Sequence, residues 1–355
     1  MKQINLKLAI FILLIFTIGC SKDEEKITTN TYKGIMVLNE GGYGNSNSSI
    51  SFISLDYTQN ISNLFSKVNP NQTMGDVAQS MQIYGDKIFI VINNSNKVLI
   101  INRYTAQLIG SITTGLVNPR YLVVHNNLIY ISCWGVLNNA TDDYIAVINA
   151  SNYYTLPQIM VTERPEKLLI HSNNLYVAHK GDSSNGNSIS VINTANNTVS
   201  NTFITGDVPN GLAVYNNQLY VFCSGKVIYD NNWIIIGHTR GKIKSYQLTN
   251  FTETQSVDFE NTQHPNNFVV FQDKLYYSLD GLIYQKPITS STLPSVAFLN
   301  PQVTNLYGLN VIDNKIYVCD AKNFISAGSL KIFDLSGTLL TEKPTEIGPN
   351  SVLLN

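Results

Sequence analysis

Short apolar runs separated by Asn- and Asp-rich turns fill most of the chain, and one phrase of this pattern returns at intervals. Pro119-Arg120 leads into Tyr121-Leu122-Val123-Val124, an Asn126-Asn127 turn and a second apolar run, Leu128-Ile129-Tyr130. The phrase recurs from Pro165 through Asn173-Asn174-Leu175-Tyr176, from Pro209 through Asn216-Asn217-Gln218-Leu219-Tyr220, and from Pro265 through Asp273-Lys274-Leu275-Tyr276. Without the proline it runs from Ala78 through Asp86-Lys87-Ile88-Phe89 and from Leu306 through Asn314-Lys315-Ile316-Tyr317. Paired apolar runs joined by a tight turn predict β-hairpins, because Asn tolerates the left-handed backbone angles such turns require. A third run follows most hairpins, as in Val98-Leu99-Ile100-Ile101, Ile145-Ala146-Val147-Ile148 and Ile189-Ser190-Val191-Ile192. A weaker fourth run often ends in Thr-Gly.

The period fixes the architecture. The aromatic anchors Phe89, Tyr130, Tyr176, Tyr220, Tyr276 and Tyr317 stand roughly 41, 46, 44, 56 and 41 residues apart, in the range of propeller repeats. Four short antiparallel strands per repeat make a propeller blade. The two ends of the chain supply a further repeat. Gly348 through Leu354 reads as an opening strand without its partner, and Gly34-Ile35-Met36-Val37-Leu38 reads as a second strand without its opening one. Joining them closes a ring that would otherwise expose two sheet edges. The expectation is an all-β, seven-bladed β-propeller of four-stranded antiparallel blades over residues 32–355, closed by the N- and C-terminal strands in one blade, with roughly 46 residues per blade.

Composition agrees and removes several function classes. Charged residues make up 13% and the formal net charge is −1, which excludes a broad basic surface for nucleic acid and an acidic disordered tail. Abundant β-branched residues and 20 Tyr favour strands over helices. Cys133, Cys223 and Cys319 each follow an apolar strand, with no CxxC spacing, and are expected to be buried, without a structural disulfide or a metal.

The first residues belong to processing. Lys2 and Lys7 precede an apolar run from Leu8 to Ile18, which is too short to span a bilayer and reads as a signal-peptide core. It ends in Thr17-Ile18-Gly19-Cys20. That segment resembles a lipobox, in which residues 1–19 are removed and Cys20 is lipidated; an ordinary cleaved signal peptide is the alternative. Ser21-Lys22-Asp23-Glu24-Glu25 follows. It resembles the acidic tag of surface-displayed outer-membrane lipoproteins, and residues 20–31 also suit a solvated tether.

Ser188 through Val199, followed by Gly206-Asp207-Val208-Pro209-Asn210-Gly211, resembles the YncE-like propeller repeat. Val37-Leu38-Asn39-Glu40-Gly41-Gly42-Tyr43-Gly44 and Gly75-Asp76-Val77-Ala78-Gln79-Ser80-Met81 are similar to the BtuG-type branch of surface lipoproteins. The resemblance covers nearly all of the mature chain. It implies an outer-membrane, cell-surface location, a lipid anchor, and capture of a small nutrient for a TonB-dependent transporter. It makes a corrinoid such as vitamin B12 the first ligand to consider; no cofactor is implied.

Candidate binding residues fall on the face that carries the loops between second and third strands. Trp134 and Trp233 stand on two of those loops, the second with His238 and Arg240. Exposed aromatic and Arg side chains suit recognition, whereas packing against their own blades is the structural alternative. A second set follows the start of each blade: Gln79, Arg120, Tyr121, Glu166, Lys167, Asn210, Asn266, Asn267, Tyr307 and Asn350. His179, His238 and His264 map to the same face, but no spacing rule makes them a metal site. Enzyme signatures are absent: there is no GxSxG, HExxH or phosphate loop, and Asp142-Asp143 reads as a solvated pair. The leading expectation is a non-enzymatic ligand-capture protein. A propeller lyase or lactonase, using Glu166 with His179 or His264, and an adhesion scaffold are the alternatives.

Overall fold

A computed structural model of the chain describes residues 31–137, 139, 141–181 and 185–355. The signal segment 1–19, Cys20 and the tether up to residue 30 lie outside the described residues. Residues from Thr31 to Asn355 form one compact unit.

The strands assemble into seven antiparallel sheets arranged as blades. From the axis outward, the second blade contains Ala78–Tyr84, Lys87–Ile92, Lys97–Asn102 and Leu108–Ile112. The third, fourth, fifth and seventh blades repeat that order from inner strands Pro119–His125, Pro165–His171, Pro209–Tyr215 and Leu306–Ile312. The sixth has three strands, Asn266–Phe271, Lys274–Leu279 and Leu282–Pro287, and a single bridge between Ile283 and Leu299 stands where a fourth would begin. The first blade closes the ring. Its inner strand Pro349–Leu354 comes from the C-terminus and pairs with Gly34–Asn39, with Ile35 opposite Leu354 and Val37 opposite Val352. Gly34 and Asn355 exchange backbone hydrogen bonds of 3.0 and 2.8 Å at the seam. Each inner strand packs on the next around the ring, and Pro349–Leu354 contacts both the seventh and the second blade.

Strand alternation explains how the blades hold one another. Side chains of period two point to opposite faces, and both faces of a blade are covered by its neighbours. On Gln218–Cys223, Leu219 and Val221 join Tyr176 and Ala178 of the fourth blade, while Tyr220 and Phe222 join Leu275 and Tyr277 of the sixth. Leu219, Val221 and Phe222, fully buried, each stabilise by about 1.5–3 kcal/mol. Two of the Asn-Asn turns have the expected left-handed backbone: Asn126 and Asn127 have φ of 47° and 61°, Asn216 and Asn217 have 45° and 58°. The third expected turn is shifted by one residue: Ser172 takes the positive φ, 53°, and Asn174 already opens the second strand. Cys133, Cys223 and Cys319 are buried and free.

Candidate functional site

The inner strands share an irregularity that builds the site. Each of the seven carries a register shift within its first four residues, where an extra residue is inserted relative to its neighbour. Such bulges re-aim side chains that a regular strand would pack against its neighbours. The residues in or beside them are Gln79, Arg120, Tyr121, Glu166, Lys167, Asn210, Asn266, Asn267, Tyr307 and Asn350, and all ten line one central cavity of about 1240 Å³. The bend into the bulge is fixed just before it. Val77, Asn118, Arg164 and Val208 have positive φ, and their carbonyls accept backbone hydrogen bonds from Asn93, Trp134, Lys180 and Ser224 at the ends of their own second strands.

Charge along the wall is organised in pairs. Arg120 grips Glu166 through two hydrogen bonds, Nε to Oε2 at 3.0 Å and Nη2 to Oε1 at 2.9 Å. Burial alone would raise the Glu166 carboxyl, but Arg120, with Lys180 and Lys167 nearby, holds it below the ordinary carboxylate value. Burial likewise works against the Arg120 charge, and Glu166 more than offsets it. The Lys167 ammonium sits 3.7 Å from the Tyr121 ring centre, a cation–π contact. Gln79 donates to the Tyr121 hydroxyl at 3.3 Å. Elsewhere on the wall, Glu40 accepts hydrogen bonds from the Tyr307 hydroxyl at 2.8 Å and the Asn350 amide at 3.2 Å. Burial nevertheless leaves its carboxyl above the ordinary value. Asn210 donates to Asn266 at 2.9 Å, and Asn267 donates to Ser278 at 3.1 Å, so the fifth and sixth blades present linked amides.

The fifth blade adds an arm. Between its second and third strands, Val227–Tyr229 and Ile235–His238 form a separate two-stranded hairpin. Asp230 holds its tip, accepting from the backbone N–H groups of Asn232 and Ile234 at 2.8 and 2.9 Å. Trp233 is 82% exposed at that tip, 6.0 Å from the Tyr229 ring, and both side chains line the cavity. At the base of the arm, His238 Nδ1 lies 2.9 Å from His264 Nε2, and His264 Nδ1 lies 3.1 Å from the Ser224 carbonyl. A carbonyl can only accept, so His264 carries its proton on Nδ1 and, when neutral, receives the His238 Nδ1 proton on Nε2.

Several sequence candidates stand elsewhere. Trp134, His179, His238 and Arg240 are not on the cavity wall. Trp134 lies between two guanidinium groups, 4.2 Å from Arg120 and 5.1 Å from Arg164, and its indole donates to the Pro165 carbonyl at 2.9 Å. Its ring is therefore in cation–π contact with Arg120 without lining the cavity itself. His179 is buried inside the fourth blade, with Nε2 2.9 Å from the Ser190 hydroxyl, and burial pushes its pKa down to about 4. The grouping of three histidines is therefore corrected to the pair His238–His264. No group of three or more potential metal ligands occurs among the described residues. Asp143, read as solvated, is fully buried, and burial pushes its carboxyl up to about 6 against the lowering effect of Arg164. Both Glu166 oxygens are taken by Arg120, and His264 is tied to Ser224 and His238. Glu40, Lys180, Lys226 and Tyr229 also line the cavity. Tyr229 shares the candidate loop of Trp233, whereas no repeated offset marks Glu40, Lys180 or Lys226, although Glu40 and Lys180 each directly follow a second strand.

Comparison with known proteins matches residues 33–228 to the profile of DUF5074, a domain of unknown function. No curated protein sequence matches the chain. Among solved structures, a quinonprotein alcohol dehydrogenase-like protein from Bacteroides thetaiotaomicron superposes with a TM-score of 0.67 at 12% identity, covering 92% of this chain and 79% of its own. A functionally unknown protein from Desulfotomaculum acetoxidans gives 0.65 at 14% identity, with 92% and 98% covered. A hypothetical selenium-binding protein from Sulfolobus tokodaii gives 0.64 at 11% identity, with 92% and 94% covered. At such identities the likeness is one of fold.

Proposed function

Because the chain belongs to the DUF5074 family, whose function is unknown, its own site has to supply the reading, and we propose that it is a ligand-capture propeller. In this reading the protein is lipidated on Cys20, displayed at the outer-membrane surface, and passes a small nutrient to a TonB-dependent transporter without transforming it. One observation carries the capture step. Ten side chains re-aimed by bulges converge on a cavity of about 1240 Å³ with an exposed Trp-Tyr arm at its wall. Ligand sites of roughly 300–1,000 Å³ suffice for drug-sized molecules, so this one has room for a large solute. Linked amides at Asn210, Asn266 and Asn267 offer donors and acceptors to a polar, amide-rich ligand.

The surface location rests on the sequence from Lys2 to Glu25 and on the resemblance to BtuG-type lipoproteins. No helix among the described residues is long and apolar enough to cross a membrane. Mass spectrometry of the native chain tests the anchor directly, since a mature N-terminus at Cys20 carrying acyl chains is the expected result. A corrinoid is the first ligand to titrate into purified residues 21–355. Saturable changes in calorimetry or in the corrinoid absorption spectrum support it, and no change at saturating cobalamin removes the corrinoid version.

A further inference from the structure

The cavity is electrically lopsided, and the direction of the asymmetry specifies a ligand. Four cationic side chains line it: Arg120, Lys167, Lys180 and Lys226. Glu166 neutralises Arg120 through the two-pronged contact, which leaves three lysines. Lys167 rises from the inner-strand bulge of the fourth blade, and Lys180 directly follows that blade's second strand. Lys226 directly precedes the arm of the fifth blade, its ammonium 3.1 Å from the Asn185 side-chain oxygen. The remaining wall carboxylate, Glu40, follows the second strand of the first blade. In a ring of seven, the point opposite the first blade lies between the fourth and the fifth. The lysines and Glu40 therefore occupy opposite ends of a diameter, and the basic end also carries the exposed Tyr229 and Trp233.

We propose that the captured solute is an organic anion. Its carboxylate or phosphate is held by Lys167, Lys180 and Lys226, its flat or apolar body lies against Tyr229 and Trp233, and a hydrogen-bond donor at its far end meets Glu40. Three ammonium groups on one arc of the wall raise the local positive potential, so an anion placed among them gains attraction that the opposite arc does not offer. A neutral ligand gains less from that arrangement than an anion does, and a cation is opposed by it. Lysine suits the role because its point charge and flexible stem accept either oxyanion. This inference rests on the capture reading, but not on its corrinoid version.

The test uses matched probes on residues 21–355 at low ionic strength, read by calorimetry and Trp fluorescence. The acids are benzoate, naphthoate and phenyl phosphate. Benzamide and naphthamide are the neutral partners, and benzylamine is the cationic one. Binding confined to the acids is expected, about 10-fold weaker in Lys226→Gln or Lys167→Gln and several-fold weaker once the Debye length falls below about 8 Å. Whether carboxylate or phosphate binds more tightly assigns the head group. An amide or amine that binds as tightly as its acid overturns the anion assignment and leaves capture standing. So do lysine variants that fold and keep full affinity. If no probe binds, and a small-molecule extract of growth medium also yields no bound species in native mass spectrometry, both the anion assignment and the capture reading fall.

Discussion

Replacing Arg120 by Met probes the strut on which the cavity wall is built. The Arg120–Glu166 pair has side-chain exposures of 15% and 6%, so Glu166 loses its two-pronged partner in a place where water replaces it poorly. Removing one member of a buried pair costs about 3–5 kcal/mol. Lys167 and Lys180 remain near Glu166, and the cavity side admits some water, so the low end, about 3 kcal/mol, applies. Unfolding entropy of about 2.1 cal/mol/K per residue over the Thr31–Asn355 unit amounts to about 0.7 kcal/mol/K, which converts the loss into a Tm lower by about 4 °C. The pH dependence has a definite sign. The folded Glu166 pKa is lowered, so its contribution is complete above the ordinary 4.5 and is lost as pH falls through the folded value. The gap between wild type and Arg120→Met should accordingly be full at pH 7 and narrow on acidification below that range. Differential scanning calorimetry at several pH values measures it. A variant within 1 °C of wild type at pH 7, or a gap that widens in acid, refutes the reasoning.

Three further outcomes follow from burial. Trp233→Ala, at a tip 82% exposed, should shift stability by less than about 0.5 kcal/mol, whereas Trp134→Ala removes a half-buried ring between two arginines and should cost about 2–3 kcal/mol in urea unfolding. Cys133, Cys223 and Cys319 are buried, with thiols pushed up to about 12, so all three should resist a thiol reagent in native protein at pH 8 and react after denaturation. His179 stays neutral when folded down to about pH 4, while the unfolded chain protonates it near the usual 6.5. Stability should therefore fall between those two values by up to about 3 kcal/mol, and His179→Gln should flatten that part of the pH profile.

The repeat made the fold legible because each blade restates it. The prolines at 119, 165, 209 and 349 open inner strands, and Pro265 stands one residue before another. The split first blade was legible because the unmatched strands at the two ends complement each other. Site residues were visible where they sat at the same offset in every repeat, as Gln79, Arg120, Glu166, Asn210 and Asn350 do. What one repeat does alone was hidden. The run Ile234-Ile235-Ile236 gave no sign that it folds back on Val227–Tyr229, because hairpin pairing inside a loop leaves no periodic trace. The burial of His179 has a signal in the repeat. It pairs with Pro165 as Cys133 pairs with Pro119 and Cys223 with Pro209, so it occupies the position that the buried cysteines hold in the neighbouring blades. The Arg120–Glu166 pair was likewise findable, since the partners are 46 residues apart at equivalent points of adjacent blades.

Affinity recovery of the native protein from detergent-solubilised outer membranes tests the capture-and-delivery account most directly. The account predicts that a TonB-dependent transporter co-purifies, together with a small molecule that is lost when the cavity lysines Lys167 and Lys226 are replaced by Gln. Recovery of the propeller alone, free of transporter and of any small molecule, contradicts it.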